Sequence, residues 1–418
     1  MKFFFYCLPI VLLSTYLFCS CDEQNNSNST NPTGVSKPPI LDSIVYSKIA
    51  FDTISKTSFL YNSSVYPILN PIKGYQGVPT LVHKDGVLFA AWDGGNHGEE
   101  LNQYIIVSTS LDMGNTWEEN KLIIAPLKDS IRHFDSSLWL DKFKNIHLSW
   151  TMSKGMWDGG RGGIYETMLH LEDNNITITP PRRLFAGAMC VRPIQSGLDN
   201  SSMLFPVYGY GIGQGWSSGQ FFYGTLPEIL GPSLYSATYD EKNKRINNPV
   251  LLSRIPRIYP STFDEHSVVS IGKDSLLCLL RKNIDGLCTN LSVNNGKTWQ
   301  GEQKFKQLEG GIMCSSRPYI GKLKSGNLLI VFNNSSQREK MTAFLSKDKG
   351  KTWPYKLLID ERRTVSYPSV VQNDIGEICL VYDYNRYPNG RIMFTKFTEE
   401  DIIEGTKKPE LVIISMVK

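Results

Sequence analysis

The chain has little of what a helical, metal-built or disulfide-built protein needs. Apart from the stretch Thr398 to Glu404, no segment keeps an apolar period of 3.6 residues beyond two turns, which argues against helix bundles and folds with long crossover helices. Histidine is scarce, with 6 residues in 418, and no C-x-x-C pair or His/Cys cluster at ligand spacing occurs. A structural zinc site is therefore not expected, and no cofactor or obligatory metal is visible, although calcium bound by loop carbonyls would leave little trace in sequence. Of the 8 cysteines, those beyond Cys21 are Cys190, Cys278, Cys288, Cys314 and Cys379, an odd and scattered set that does not form a disulfide framework. The formal net charge is only +4 and no basic run is present, which argues against nucleic acid as a partner.

What is present begins with an export signal. Lys2, an apolar core from Phe3 to Phe18 and the small residue Ser20 read as a signal peptide over residues 1–20. The apolar run is shorter than the roughly 20 residues that a membrane span needs. Leu17 to Cys21 is similar to a bacterial lipobox, which implies that Cys21 is a lipidated first residue of the mature chain. Asp22 and Glu23 resemble the acidic export signal of surface lipoproteins. Together these imply an outer-membrane lipoprotein displayed at the cell surface, with a periplasm-facing position as the alternative. Residues 21–39 are mostly Asn, Ser, Thr and Pro with almost no apolar side chains, so they read as a disordered tether. Residues 40–418 are left for the folded part, expected as a monomer.

One phrase recurs three times. Ser110, Asp112, Gly114, Thr116 and Trp117 share their spacing with Ser292, Asn294, Gly296, Thr298 and Trp299, and with Ser346, Asp348, Gly350, Thr352 and Trp353. Each copy has turn chemistry: Asp or Asn bonding nearby backbone, Gly where φ is positive, then a β-branched residue and an aromatic opening the return strand. Hairpin patterns precede or surround these turns at 82–92, 138–150, 268–280, 320–332 and 370–382. The repeats resemble the Asp-box of the sialidase superfamily, which implies an all-β, six-bladed β-propeller; a β-sandwich would not explain the spacing. The later boxes lie about one blade apart and the first two about three blades apart. Thr398 followed by Glu399, Glu400 and Asp401 reads as a helix N-cap.

The C-terminal half resembles the same superfamily in the order of its polar residues. Glu265 opens a strand pair ending in Arg281, Arg338 precedes the third box, and Tyr367 follows it. The resemblance implies that Tyr367 is a nucleophile, that Glu265 polarises it, and that Arg281 and Arg338 belong to an arginine triad gripping a carboxylate. It implies a glycan or polysaccharide partner and a retaining exo-glycosidase acting on a terminal acidic sugar. A tyrosine suits such a sugar, because a carboxylate nucleophile would be repelled by the carboxylate at the anomeric carbon. Arg317 is a further candidate site arginine, while Asp383 and Arg386 could equally form a structural pair.

The N-terminal half departs from that pattern. Where the superfamily carries Phe-Arg-Ile-Pro, this chain has Gln76, Gly77, Val78 and Pro79, so Gly77 replaces the first arginine of the triad. The grip is complete only if Arg192, Arg161 or Arg317 restores it. The acid/base is sought in the glycine-rich segment 93–102, read as a loop, with Asp93, His97, Glu99 and Glu100 as candidates and His97 and Glu99 preferred. Asp135, Trp157, Asp158 and Arg161 read as sugar-binding groups. Two alternatives stay open: action on another sugar, a uronic acid or rhamnose cap, by hydrolysis or by elimination with His97 or His133 as base; or a non-catalytic glycan-binding propeller.

Overall fold

The computed structural model describes residues 58–61, 74–126, 131–154, 158–185, 187, 191–196, 200–209, 231–257, 265–282, 286–305, 314–387 and 389–416. All of them belong to one compact unit, Asp42–Lys418. The expected signal peptide, Cys21 and the tether lie outside the described residues.

Six antiparallel sheets follow one another along the chain, and each begins with its innermost strand except for the short outer strand Ser58–Tyr61 of the first. The inner strands are Tyr75–Lys84, Ile131–Leu140, Ile194–Gln195, His266–Ser270, Tyr319–Lys322 and Val365–Gln372. The first of these packs on the second and also on the last, so the sheets close into a ring. The protein is a six-bladed β-propeller.

Packing between blades explains why the strands are apolar on both faces. Along the first blade Leu81, Leu88, Ala90 and Trp92 pack with Cys379, Val381 and Phe394 of the sixth. Their chain neighbours Val82, Phe89 and Ala91 point the other way and pack with Leu138, Leu148 and Trp150 of the second. Side chains alternate along a strand, so a blade between two others must be apolar at successive positions. Each such buried Leu, Val or Phe contributes about 1.5–3 kcal/mol.

The boxes fall in the first, fourth and fifth blades, between the third and fourth strands of each. Their bonding repeats: Gly114 N–H donates to Ser110 Oγ at 2.7 Å, Gly296 N–H to Ser292 Oγ at 2.9 Å, and Gly350 N–H to Ser346 Oγ at 2.8 Å. Thr116 donates through its N–H and hydroxyl to Asp112 at 2.9 and 2.6 Å. Glycine is needed for two reasons. Its φ is +92° at Gly114, and a β-carbon there would fall 2.1 Å from Phe394 of the sixth blade. At Gly296 a β-carbon would fall 2.3 Å from Leu234 of the third. Each of these two boxes thus seats its blade on the preceding one. In the sixth blade a helix, α1 (Glu399–Glu404), makes the same connection, with the capping box of Thr398 and Asp401 at its start and Gly405 at φ 70° closing it.

Candidate active site

The inner strands of the first, second and sixth blades share one irregularity where they begin. Pairing jumps from Gly77 to Thr80, from Phe134 to Ser137 and from Ser366 to Ser369. Two residues thus oppose one on the neighbouring strand, which is a β-bulge, and the first of the two has positive φ: Val78 at 56°, Asp135 at 50° and Tyr367 at 52°. A positive φ in a non-glycine residue costs about 1–3 kcal/mol and persists where surrounding structure enforces it. The bulge turns Asp135 and Tyr367 off the pleat at the end of the propeller opposite the boxes. Glu265 and Arg317 stand just ahead of the inner strands of the fourth and fifth blades. Arg281, Asp93 and Asp383 stand toward the ends of second strands, at the same end of the molecule.

Tyr367 is the centre of this cluster. Arg281 Nη1 donates to its hydroxyl at 3.1 Å and also lies 3.1 Å from Glu265 Oε1. The guanidinium carbons of Arg317, Arg338 and Arg386 stand 4.8, 5.1 and 4.6 Å from the centre of the Tyr367 ring. Burial would raise the Glu265 carboxyl, but Arg281 and Arg317 overcome it and hold it below the usual range, so it is ionised. Its second oxygen, Oε2, is buried and accepts no hydrogen bond among the described residues.

Behind the tyrosine lies a second group. Arg317 Nη1 reaches Asp135 Oδ1 at 3.3 Å and Tyr208 Oη donates to Asp135 Oδ2 at 2.8 Å. Asp135 N–H donates to Asp93 Oδ2 at 3.0 Å. Burial, with Asp135 as a like-charged neighbour, drives the Asp93 carboxyl far up, so Asp93 holds its proton. Burial likewise pushes Asp135 up to about 6, against the pull of Arg317. Glu99 is half-buried, 3.5 Å from Arg386 Nη1 and 3.9 Å from Arg132 Nη2.

The structure brings together Tyr367, Glu265, Arg281, Arg317, Arg338, Asp135, Asp93 and Glu99 from the sequence-based candidates. Of the remaining candidates, Arg192, His97 and Glu100 make other contacts. Arg192 donates to Leu81 O at 2.5 Å and lines a cavity of about 310 Å³ along the propeller axis, which Pro79, Ser136, Ser267 and Pro318 also line. His97 is exposed, and its N–H donates to Glu100 Oε1 at 2.9 Å, so Glu100 serves to close the turn. His133, the alternative base, is fully buried, and burial lowers it to about 4. Asp158 and Arg161 fall on the strand Asp158–Glu172, and Trp157 lies outside the described residues. The expected loop at 93–102 is corrected at its start: Asp93, Gly94 and Gly95 belong to the strand Val87–Gly95. Gly94 is there because a β-carbon would fall 2.8 Å from Ile106 and Tyr104, a close approach of packed strands.

Sequence reasoning did not place Arg386 in the cluster, nor Tyr208. A signal for the heads of the inner strands was present in the sequence: Val78, Arg192, Arg317 and Tyr367 each precede a proline there.

Residues 86–380 match the family described as BNR repeat-like domain. No curated protein sequence matches the chain. Among solved structures, a Hadza microbial sialidase superposes with a TM-score of 0.57 at 18% identity, covering 79% of this chain and 66% of its own. A leech intramolecular trans-sialidase gives 0.59 at 13% identity, with 82% and 71% covered. The intramolecular trans-sialidase from Ruminococcus gnavus gives 0.57 at 13% identity, with 83% and 98% covered. At these identities the likeness establishes the fold.

Proposed function

The chain belongs to the BNR repeat-like family of sialidase-type propellers, and on that premise we propose that it is a retaining glycoside hydrolase that releases a terminal acidic sugar. The observation that carries this reading is the contact of Tyr367 with Arg281 and, through Arg281, with Glu265. Glu265 Oε2, which accepts no hydrogen bond among the described residues, would take the phenolic proton as the hydroxyl attacks the anomeric carbon. Arg281 donates to the oxygen on which negative charge develops and is in place beforehand. The sugar transfers to Tyr367, and water then releases it, so the anomeric configuration is retained over two displacements.

The leaving oxygen needs a proton donor on the rim. Asp93 keeps its proton but is 1% exposed and sits behind the Asp135 backbone. Glu99 is the carboxylate of that segment that stays half-exposed and reaches the arginines, so the acid/base role is assigned to Glu99. Planar guanidinium groups suit a carboxylate on the sugar. Attachment at the cell surface through a lipid on Cys21 is part of the same proposal, supported by the sequence around that residue.

The test is release of free sugar from α-sialosides, uronic-acid-capped and rhamnose-capped glycans by the purified protein. Release of an acidic sugar that vanishes in Tyr367→Phe is the expected result. Release of a neutral sugar alone, or no release at all, contradicts it.

A further inference from the structure

We propose that Arg386 is a substrate-binding residue that, with Arg338 and Arg281, clamps a ligand carboxylate beside Tyr367, filling from the sixth blade the place that Gly77 leaves open in the first. The proposal rests on the acidic-sugar reading and names the residue that would make it possible.

Four observations carry it. First, the Arg386 stem runs over Gly77: a β-carbon at Gly77 would fall 2.6 Å from Arg386 Cδ, so no larger residue fits there while Arg386 holds this position. Second, Arg386 is held from behind. Its Nε lies 3.7 Å from Asp383 Oδ2, and Asp383 is fixed by the Val78 N–H at 3.0 Å and the Ser366 hydroxyl at 2.5 Å. Third, Arg386 Nη1 is buried and makes no hydrogen bond among the described residues, although the side chain is only 10% exposed. Glu99 Oε1 lies 3.5 Å away without making that bond. A buried guanidinium N–H left unbonded is costly, and a ligand oxygen would satisfy it.

Fourth, the other arginines are differently engaged. Arg317 holds Asp135, and Arg192 bonds a backbone carbonyl in the axial cavity. Arg317, Arg386 and Arg338 all converge on the Tyr367 ring, at 4.8, 4.6 and 5.1 Å from its centre, but Arg317 is also tied to Asp135 at 3.3 Å. Like charges brought together over one ring repel, and an anion bound between them relieves the repulsion. The chain has thus moved a guanidinium from one side of the first-to-sixth blade junction to the other.

The experiment is calorimetric titration of the purified full-length protein with sialic acid, glucuronic acid and galacturonic acid, each against its methyl ester. The wild type should bind one acid about tenfold or more tighter than its ester. Arg386→Gln should weaken that acid by about 10- to 100-fold and leave the ester unchanged. The exchange Gly77→Arg with Arg386→Ala should recover part of the acid preference, because truncating Arg386 opens the space at residue 77; melting curves verify that each variant is folded. An undiminished acid preference in Arg386→Gln, or its absence from the folded exchange variant, overturns the role of Arg386 and leaves the acidic-sugar reading standing. A wild type that binds every ester as tightly as its acid overturns both.

Discussion

Arg281 Nη1 lies 3.1 Å from Tyr367 Oη and 3.1 Å from Glu265 Oε1, so one guanidinium nitrogen couples a phenol to a buried carboxylate. Arg281 comes from the end of a second strand in the fourth blade, and Tyr367 from a bulge in the inner strand of the sixth. The contact with Glu265 forms within the fourth blade, whereas the contact with Tyr367 needs the fourth and sixth blades brought together around the axis, which ties the chemistry to the fold.

Removal of the phenol oxygen should separate turnover from binding. Tyr367→Phe is expected to lower kcat by roughly a thousandfold or more while the ligand affinity changes by less than about threefold, because the covalent step alone is lost. Steady-state kinetics alongside calorimetry measure the two quantities. A large loss of affinity with kcat preserved would show a binding role instead.

Loss of the carboxylate should cost both activity and stability. Glu265→Leu leaves Arg281 buried without its anion and should destabilise the protein by about 3–5 kcal/mol, read from denaturant unfolding. Glu265→Gln keeps the shape and a hydrogen-bond acceptor, so it should be milder in stability but still lower kcat by about 10²–10⁴.

Acid should strengthen anion binding. As pH falls through about 6, Asp135 takes a proton and frees Arg317 from its ion pair, while the neighbouring Asp93 is protonated throughout and Glu265 stays ionised. Affinity for an acidic sugar should therefore rise on going from pH 7.5 to pH 5.5, and Asp135→Asn should flatten the profile. The folded state also binds this proton more tightly than the unfolded chain. The contribution of Asp135 to stability is therefore greatest at acid pH and falls as pH rises from the ordinary carboxylate range through about 6.

The boxes should govern stability and leave the chemistry alone. Gly114→Ala meets Phe394 and an unfavourable φ, and should destabilise by about 1–3 kcal/mol, seen as a lowered melting temperature with kcat unchanged below it. The bonds from Thr116 hold the Asp112 carboxyl down to about 2. Its stabilising share should thus be present above the ordinary Asp range and vanish as pH falls through about 2.

Membrane attachment is tested by Cys21→Ser. The wild type should take up radiolabelled palmitate and partition into detergent, whereas the variant should remain aqueous and unlabelled. An unlabelled wild type would remove the lipid anchor from the account.

Much of the architecture was legible because it rests on local chemistry. A box needs only Ser, Asp or Asn, Gly and Thr at short spacing, and the bonds of Ser110, Asp112 and Thr116 are all within four residues of one another. Tyr367, Glu265 and Arg281 could be read from their order, since each sits at a strand end. The strand position of Asp93 was not legible, because Gly94 and Gly95 look like loop residues when the packing of Tyr104 and Ile106 is unseen. Arg386 was the hardest to see: its position depends on the missing side chain of Gly77 and on Asp383, across the junction of the first and last blades, and no spacing in the sequence records that.

The central claim is a covalent sugar on Tyr367, and the most direct measurement is intact-protein mass spectrometry after acid quenching during turnover of an α-sialoside or the best acidic substrate, followed by peptide mapping. The account predicts a mass increase of one sugar residue on the peptide that carries Tyr367, absent in Tyr367→Phe. Turnover with no adduct, or an adduct on another residue, would contradict it.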